Sequence, residues 1–142
     1  MKLVDVNILL YAVNRDDARH ATILAWWENA LCAPEPVALS WSVIHAYLRL
    51  ATHPRIFANP QSTEEATDRI TQWLAHPNVH VAIESDDHWR VLRDLIRDIG
   101  TIGNLVSDAH LAALAISRAM TLVSCDRDFA RFPQLRWENP VA

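Results

Sequence analysis

Four aspartates in this sequence follow or begin apolar segments, where acidic side chains can serve chemistry. They are Asp5, Asp108, Asp126 and Asp128. Carboxylates held within a few ångströms repel one another and take up protons unless a cation neutralises them. Mg²⁺ and Mn²⁺ prefer such oxygen ligands, and the chain has no Cys/His set that favours zinc. If the fold brings these acids together, they form a divalent metal site.

Each acid also has a purely structural explanation. Asp5 could be a turn residue after a strand, and Asp108 or Ser107 could cap a helix. Asp126 and Asp128 could cap a short helical turn. These explanations remain open for each residue taken alone. Three acids at the ends of separate elements, with a shared location in the predicted fold, favour a site.

The hydrophobic pattern predicts the elements that position these acids. The predicted strands are Lys2 to Val6, Val37 to Ser40, Asn78 to Ile83, Thr121 to Ser124 and Leu135 to Trp137. The predicted helices are Ile8 to Val13 with Asn7 as its cap, Asp17 to Leu31, Trp41 to Ala51, Ser62 to Ala75 with a capping box, Asp86 to Ile99, Leu105 to Met120, and one turn from Asp128 to Arg131. Trp89 has core spacing in its helix, and residues 100–104 are expected to form a turn.

Helices that alternate with short apolar strands predict a three-layer α/β/α fold with a mainly parallel central sheet. In such sheets, ligands bind outside the carboxyl ends of the strands. Asp5 and Asp126 each lie where a predicted strand ends, so their carboxylates would be roughly 5 Å apart if the two strands are neighbours.

Composition narrows the class of protein. The 142 residues are 51% hydrophobic, which predicts one domain over residues 1–142. No signal-peptide core or long apolar run is present, so we expect a cytoplasmic protein without a membrane partner. The net charge of −4 means that a polyanionic substrate needs a local basic patch or a bound cation.

Four ordered segments resemble PIN-domain ribonucleases of the VapC toxin type. The segments are Val4 to Ala12, Leu48 to Phe57, Asn104 to Ala115, and Ser124 to Phe132 followed by Leu135 to Trp137. The resemblance spans nearly the whole chain in the order that the family requires. It implies a PIN-like fold and an endoribonuclease, dependent on Mg²⁺ or Mn²⁺, that acts as the toxin of a toxin–antitoxin pair.

The resemblance also assigns roles to individual residues. Asp5 and Asp108 correspond to the acids that coordinate the metal, and Asp126 corresponds to a further acid of the cluster. Asp128 is the neighbouring acid of the same motif, and Asn7 and Ser124 match polar positions that line the site. The implied substrate is structured RNA such as tRNA or rRNA, and the implied partner is a small antitoxin whose C-terminal segment covers the groove.

One departure concerns the third helix, where proteins of this type usually carry a glutamate. Here Ala46 occupies that position, with His45 beside it. On a helix, His45 shares a face with Ser42 and Arg49. His45 could therefore replace the glutamate as a ligand or proton carrier, or it could be an exposed or dimer-facing residue.

Binding residues and partners are less sharply defined. The candidate RNA-phosphate contacts are Arg15, Arg49, Arg55 and Arg127, each of which could also be a solvated surface arginine. Six tryptophans exceed what a core of this size usually buries, and Trp26 adjoins Trp27 so that both cannot face the same way. We therefore expect one of them to meet another surface, and we expect a homodimer.

Three other functions are compatible with acids at strand ends. An aspartyl phosphatase requires a second Asp two residues after Asp5, where Asn7 stands. A phosphoacceptor receiver domain requires a lysine late in the chain, and Lys2 is the only lysine. The remaining alternative is a PIN-like protein that binds RNA or a partner but cuts weakly or not at all, because the glutamate is absent.

Overall fold

The computed structural model of the protein describes residues 1–100 and 103–142. Its strands are β1 (Lys2–Val4), β2 (Val37–Ser40), β3 (Val79–Ala82), β4 (Thr121–Val123) and β5 (Trp137–Glu138). They form a parallel sheet in the order β3-β2-β1-β4-β5. β1 therefore lies between β2 and β4, and its apolar residues Leu3 and Val4 are wholly buried.

Six α-helices cover the sheet. They are α1 (Val6–Val13), α2 (His20–Cys32), α3 (Trp41–Ala51), α4 (Thr63–Ala75), α5 (His88–Ile99) and α6 (Val106–Ser117), and two 3₁₀ turns span Gly103–Leu105 and Arg127–Arg131. Among the first four helices, α1 packs on α2 and α3, and α3 packs on α4; α5 packs on α6. The chain adds β2 and β3 on one side of β1 and then returns to add β4 on the other side. Right-handed crossovers therefore place the first four helices on one face of the sheet and α5 and α6 on the opposite face. The predicted three-layer α/β/α fold is confirmed.

Local sequence explains the boundaries that agree with prediction. Ser40 caps α3 by accepting a hydrogen bond from the Val43 amide at 3.2 Å. Ser62 and Glu65 form the predicted capping box at the start of α4. Gly100 ends α5 with φ of 84°, a conformation that glycine adopts without a steric penalty.

Several predicted boundaries are wrong. β1 ends at Val4 and α1 begins at Val6, so the cap of α1 is Asp5 and not Asn7. The helix predicted from Asp17 begins at His20, because Asp17 accepts hydrogen bonds from the backbone and the guanidinium of Arg19 in a local turn.

The other elements are mostly shorter than predicted. β3 omits Asn78 and Ile83, and α5 and α6 start at His88 and Val106. β5 begins only at Trp137. In the predicted turn over 100–104, residues 101 and 102 lie outside the described residues. Apolar periodicity continues into flanking turns, which explains the excess length of the predictions.

The tryptophans divide between core and surface. Trp27 and Trp73 are buried, and their rings meet edge to face with centroids 5.6 Å apart. Trp26 is half-buried and donates a hydrogen bond to Glu138, so it contacts its own chain. The prediction that Trp89 belongs to the core is wrong, because its side chain in the first turn of α5 is 65% exposed and only Leu95 of that helix is fully buried. Among the described residues, no helix has both the length and the apolar character needed to cross a bilayer.

Candidate active site

Asp5 and Ser124 stand at the carboxyl ends of the adjacent strands β1 and β4. Val4 pairs with Val123 in the parallel ladder, and the Asp5 amide donates to the Val123 carbonyl at 3.0 Å. The residues that follow the two strands must therefore lie side by side. The adjacency of the two strands, on which the sequence prediction depended, is confirmed.

The Asp5 carboxylate is held by three donors. Its Oδ1 accepts a hydrogen bond from the Val6 amide at 2.7 Å. Its Oδ2 accepts one from the Ser124 hydroxyl at 2.7 Å and one from the Asn7 amide nitrogen at 3.1 Å. Asp5 is thus the cap of α1, and its carboxylate is held in a fixed position at the carboxyl end of the central strand β1.

Asn7 and Ser124 complete a network between the start of α1 and the end of β4. Asn7 Nδ2 donates to Ser124 Oγ at 2.9 Å, and Asn7 Oδ1 accepts from the Cys125 amide at 3.1 Å. Ser124 Oγ also accepts from the Asp126 amide at 3.0 Å, and its side chain is wholly buried. A buried polar network whose members are all hydrogen-bonded fixes the position of each side chain.

Three carboxylates gather next to this network. Asp108, Asp126 and Asp128 each have an oxygen within 4.8 Å of the others, a spacing at which one cation could contact all three. Asp126 also caps the 3₁₀ turn, because its Oδ1 accepts from the Asp128 amide at 2.9 Å. Asp128, expected only as a supporting acid, belongs to this close set, whereas Asp5 lies beside it.

Asp108 does not cap α6. The capping position is Leu105, with no side-chain hydrogen bond to the helix, so the alternative in which Asp108 or Ser107 is a cap is wrong. The Asp108 carboxylate instead lies in the first turn of α6, next to the other acids. Helix capping therefore does not account for this carboxylate.

The surroundings of the acids disfavour their charged forms. Burial, followed by the negative charges of Asp126, Asp5 and Asp128, raises the pKa of Asp108 to about 6. Burial also raises the pKa of Asp5, while the hydrogen bonds from Ser124 and Val6 act in the opposite direction. A cation would relieve this repulsion, and the all-oxygen donor set fits Mg²⁺ or Mn²⁺.

Asp5, Asp108 and Asp126 line a cleft of about 740 Å³. One side carries Asp5, Asn7, Asp108 and Asp126, and the α3 side carries Ser42, His45, Ala46 and Arg49. The predicted shared face of Ser42, His45 and Arg49 does line this cleft. Ala46, the position of the absent glutamate, lies on the same wall, so no carboxylate from α3 reaches the acids.

The predicted RNA-contact arginines are not brought together. Arg49 lines the cleft. Arg15 lines a different pocket, and Arg55 and Arg127 are exposed in turns that are not part of the cleft wall. Of these four arginines, Arg49 is the one that lines the cleft with the carboxylates.

His110, two residues after Asp108, also lines the cleft and was not among the predicted site residues. Its Nδ1 lies 3.0 Å from Nε2 of His88, and its Nε2 lies 3.3 Å from Glu84. The spacing from Asp108 was visible in the sequence. Its partners on α5 and after β3 were not, because they depend on how α5 packs on α6.

Comparison with known proteins agrees with this geometry. The sequence profile of the family described as PIN domain matches residues 2–135. Ribonuclease VapC37 of Mycobacterium tuberculosis is 40% identical over 142 residues, which cover 100% of this chain and 99% of the relative. Ribonuclease VapC33 of the same organism is 33% identical over 141 residues, which cover 99% of each chain.

Solved structures share the fold. VapBC2 of Rickettsia felis, bound to a DNA fragment from its promoter, has a TM-score of 0.72 at 21% identity, covering 97% of each chain. VapC20 of M. tuberculosis, described as a sarcin-ricin loop cleaving toxin, has a TM-score of 0.65 at 22% identity, covering 92% of this chain and 93% of that one. The chain belongs to the PIN-domain family and, within it, to the VapC ribonucleases.

Proposed function

We propose that this chain is a divalent-metal-dependent endoribonuclease that acts as the toxin of a toxin–antitoxin pair. The observation that carries this proposal is the cluster of Asp108, Asp126 and Asp128, with oxygens within 4.8 Å of one another. The cluster stands beside Asp5 at the carboxyl edge of the sheet in a chain of the PIN-domain family. Hydrolysis of a phosphodiester is the chemistry that such a site supports best.

Asp108, Asp126 and Asp128 would hold Mg²⁺ or Mn²⁺, and Asp5 would contribute a further negative charge beside the cation. When bound, the cation supplies Lewis-acid activation of the phosphodiester and of the attacking water. The hydrogen bonds from Ser124 and Asn7 keep the Asp5 carboxylate in place during binding and release. Because α3 offers Ala46 in place of a glutamate, we propose one cation and not two.

The remaining groups act on the substrate and on protons. Asp126 would orient the attacking water by accepting a hydrogen bond from it. Attack would form a bond from the water oxygen to phosphorus, pass the proton of that water to Asp126 and break the bond to the leaving oxygen. His45, on the α3 wall, would give a proton to that leaving oxygen, and Arg49 would bind a neighbouring phosphate.

The proposed substrate is an exposed loop of a structured RNA such as tRNA or rRNA. Unpaired bases in loops offer edges and faces that a protein can read, whereas the grooves of paired RNA offer few. The description of VapC20 as a sarcin-ricin loop cleaving toxin supports this class of substrate. With a net charge of −4, the chain needs the cation and Arg49 to offset repulsion of the RNA.

We also propose an antitoxin and a homodimer as partners. Solved neighbours are VapBC toxin–antitoxin complexes, which supports an antitoxin whose C-terminal segment covers the cleft and places a basic side chain against the acids. Trp41 and Trp89 are 50% and 65% exposed, and such aromatic surface favours an interface. A cytoplasmic location stays a prediction.

The proposal is tested by cleavage of total RNA with antitoxin-free protein in Mg²⁺, Mn²⁺ or EDTA. We expect discrete products with either cation, none in EDTA, and at least a hundredfold loss in Asp5→Ala. Asp94→Ala is the matched control, because Asp94 is an exposed acid on α5 outside the cleft. Cleavage that persists in EDTA, or full activity of Asp5→Ala, would refute the proposal.

The cleavage assay, together with a filter-binding assay, separates the nuclease from a non-catalytic binding protein. The observation that favours the second function is Ala46, which leaves the cleft without the α3 carboxylate. A binding protein would retain RNA in a filter assay and release no product at any cation concentration.

A further inference from the structure

A second pocket lies away from the carboxylates, between the end of α1, the start of α2 and α4. It has a volume of about 210 Å³ and presents Arg15, His20 and Arg69 above an apolar floor. We call it the arginine pocket. It shares no lining residue with the cleft, and none of the described side chains that line it is acidic.

In the part of the chain that the structure describes, the two guanidinium groups of this pocket have no acidic partner. Other arginines of the chain, such as Arg19 and Arg131, pair with an acid at 2.9 and 3.6 Å. Within residues 1–100 and 103–142, neither Arg15 nor Arg69 has a carboxylate oxygen within 4.0 Å.

Three acids near the pocket in sequence are engaged elsewhere, and Asp68, next to Arg69, is not part of the pocket lining. Asp16 accepts a hydrogen bond from Asn59 at 3.1 Å, and Asp17 pairs with Arg19. Glu65, one helical turn before Arg69, belongs to the capping box of α4. The positive charge of the arginine pocket is therefore available to a ligand.

His20 adds a third polar group. Its Nδ1 lies 2.8 Å from the Tyr11 carbonyl, which can only accept, so Nδ1 carries a proton. Nε2 donates to an anion only when the ring is doubly protonated. His20 is also the first residue of α2, and the start of that helix has no side-chain cap. The positive end of the helix dipole lies here as well, partly offset by the Asp17 carboxylate, which accepts from the Arg19 amide at 2.8 Å.

The floor of the pocket is fixed by aromatic packing. Trp73 meets the rings of Trp27 and Tyr47 edge to face, with centroids 5.6 and 5.2 Å away. Burial raises the pKa of Tyr47 to about 12. The positive charge of Arg69 nearby acts in the opposite direction but is the smaller effect. The indole N–H of Trp27 is buried and has no hydrogen-bond acceptor among the described residues.

We propose that the arginine pocket binds a phosphate group. Two guanidinium groups on different elements, with a histidine and a helix start, suit an anion that offers three or more oxygens in several directions. A carboxylate has two oxygens and is satisfied by one guanidinium. The phosphate is either free inorganic phosphate or a backbone phosphate of RNA, and the second source rests on the proposed ribonuclease function.

The test uses ¹⁵N-labelled full-length protein in EDTA, titrated with inorganic phosphate at constant ionic strength. The Trp27 indole N–H resonance, assigned with Trp27→Phe, reports local binding. We expect a saturable shift in wild type and at least roughly tenfold weaker binding in Arg15→Gln and Arg69→Gln. Arg97→Gln, an exposed arginine on α5, is the control and should bind as wild type does.

Arg15→Lys keeps the charge but not the planar fork, so it tests the site even if a Gln variant folds poorly. Intermediate binding by Arg15→Lys would support the proposal. Absence of a saturable shift, equal binding by all variants, or equally tight binding of acetate would overturn it. The acetate result would indicate an acidic protein segment as the ligand.

A second arm identifies the source of the phosphate. A short single-stranded oligoribonucleotide is titrated in the same buffer into wild type, Arg69→Gln and Arg97→Gln. Weaker binding by Arg69→Gln alone supports an RNA phosphate, and equal binding by all three supports free phosphate. Neither arm needs cleavage, so a chain that binds phosphate but cuts no RNA would refute the ribonuclease proposal and leave the pocket intact.

Discussion

Ser124 Oγ donates a hydrogen bond of 2.7 Å to Asp5 Oδ2, although the two residues are 119 positions apart in the chain. The parallel pairing of β1 and β4 brings them together. This bond fixes the acid at the first strand end relative to the segment that carries Asp126 and Asp128. The bond therefore helps to hold the Asp5 carboxylate in place beside the other acids.

Removing the Ser124 hydroxyl should weaken both the fold and cation binding. Ser124→Ala leaves the Asp5 carboxylate and the Asp126 amide short of a partner, and the loss should be about 1–3 kcal/mol of unfolding free energy. The pKa of Asp5 should rise further, because the Ser124 hydrogen bond lowers it. Calorimetric titration with Mn²⁺ and thermal unfolding measure the two effects. Ser117→Ala is the control. If Ser124→Ala gave the same results as Ser117→Ala in both assays, the proposed role of Ser124 would be contradicted.

Asp108 should make stability depend on pH in the absence of metal. Its pKa is about 6 in the folded protein and near 3.8 in the unfolded chain, so the folded state holds the proton more tightly. The stability gained from this proton is present below the lower pKa and is lost as the pH rises through about 6. Because Asp108 is partly exposed, solvent screening reduces the effect to about 1 kcal/mol.

Asp108→Asn should abolish that dependence. In EDTA at pH 7.5 the variant should melt at a higher temperature than wild type, and at pH 4 the difference should vanish. With saturating Mn²⁺ the order should reverse, because only the wild-type cluster keeps all its carboxylates. Scanning calorimetry at the two pH values checks this. A wild type that is more stable than the variant in EDTA at pH 7.5 would contradict the proposed repulsion among the acids.

A glutamate at position 46 should strengthen the cleft as a cation site. Ala46 lies on the α3 wall of the cleft, so Ala46→Glu adds a carboxylate facing the acids. We expect Mn²⁺ binding that is at least severalfold tighter and a lower cation requirement for cleavage. Ala46→Gln has nearly the same shape without the charge and serves as the control. Equal Mn²⁺ affinity in the two variants would mean that position 46 lies too far from the bound cation.

Replacement of the exposed tryptophan of α5 should weaken the proposed homodimer. Trp89→Ser removes a side chain that is 65% exposed, and buried interface tryptophans often contribute about 2 kcal/mol or more. Sedimentation velocity should show a dimer in wild type and a larger monomer fraction in the variant. Arg97→Ser, on the last turn of the same helix, should resemble wild type. A wild-type chain that is strictly monomeric at micromolar concentration would contradict the homodimer.

The sequence predicted those parts of the fold that local chemistry determines. The strand Val37–Ser40, the helix Trp41–Ala51 and the capping box at Ser62 depend on neighbouring residues and agree with the structure. The start of α1 was mistaken because both Asp5 and Asn7 are good caps, and the choice depends on where β1 leaves the sheet.

The sequence indicated which acids belong to the candidate site, but it did not indicate which of them lie close together. Strand-end positions and the family resemblance identified Asp5, Asp108 and Asp126. The entry of Asp128 into the close set depends on the 3₁₀ turn after Asp126, whose geometry is not visible in the pattern. The isolation of Arg15 from the cleft depends on the direction of α1, which carries that residue away from the sheet edge.

The most direct test of the account is cleavage of an end-labelled RNA under titration with Mn²⁺. Wild type and Asp94→Asn should cut at the same sites with the same cation dependence. Asp126→Asn, which keeps an oxygen able to accept the Asp128 amide, should fold as wild type does and lose at least a hundredfold in rate. If Asp126→Asn cuts the RNA at the wild-type rate, or if wild type cuts equally well in EDTA, the carboxylate cluster is not the catalytic site.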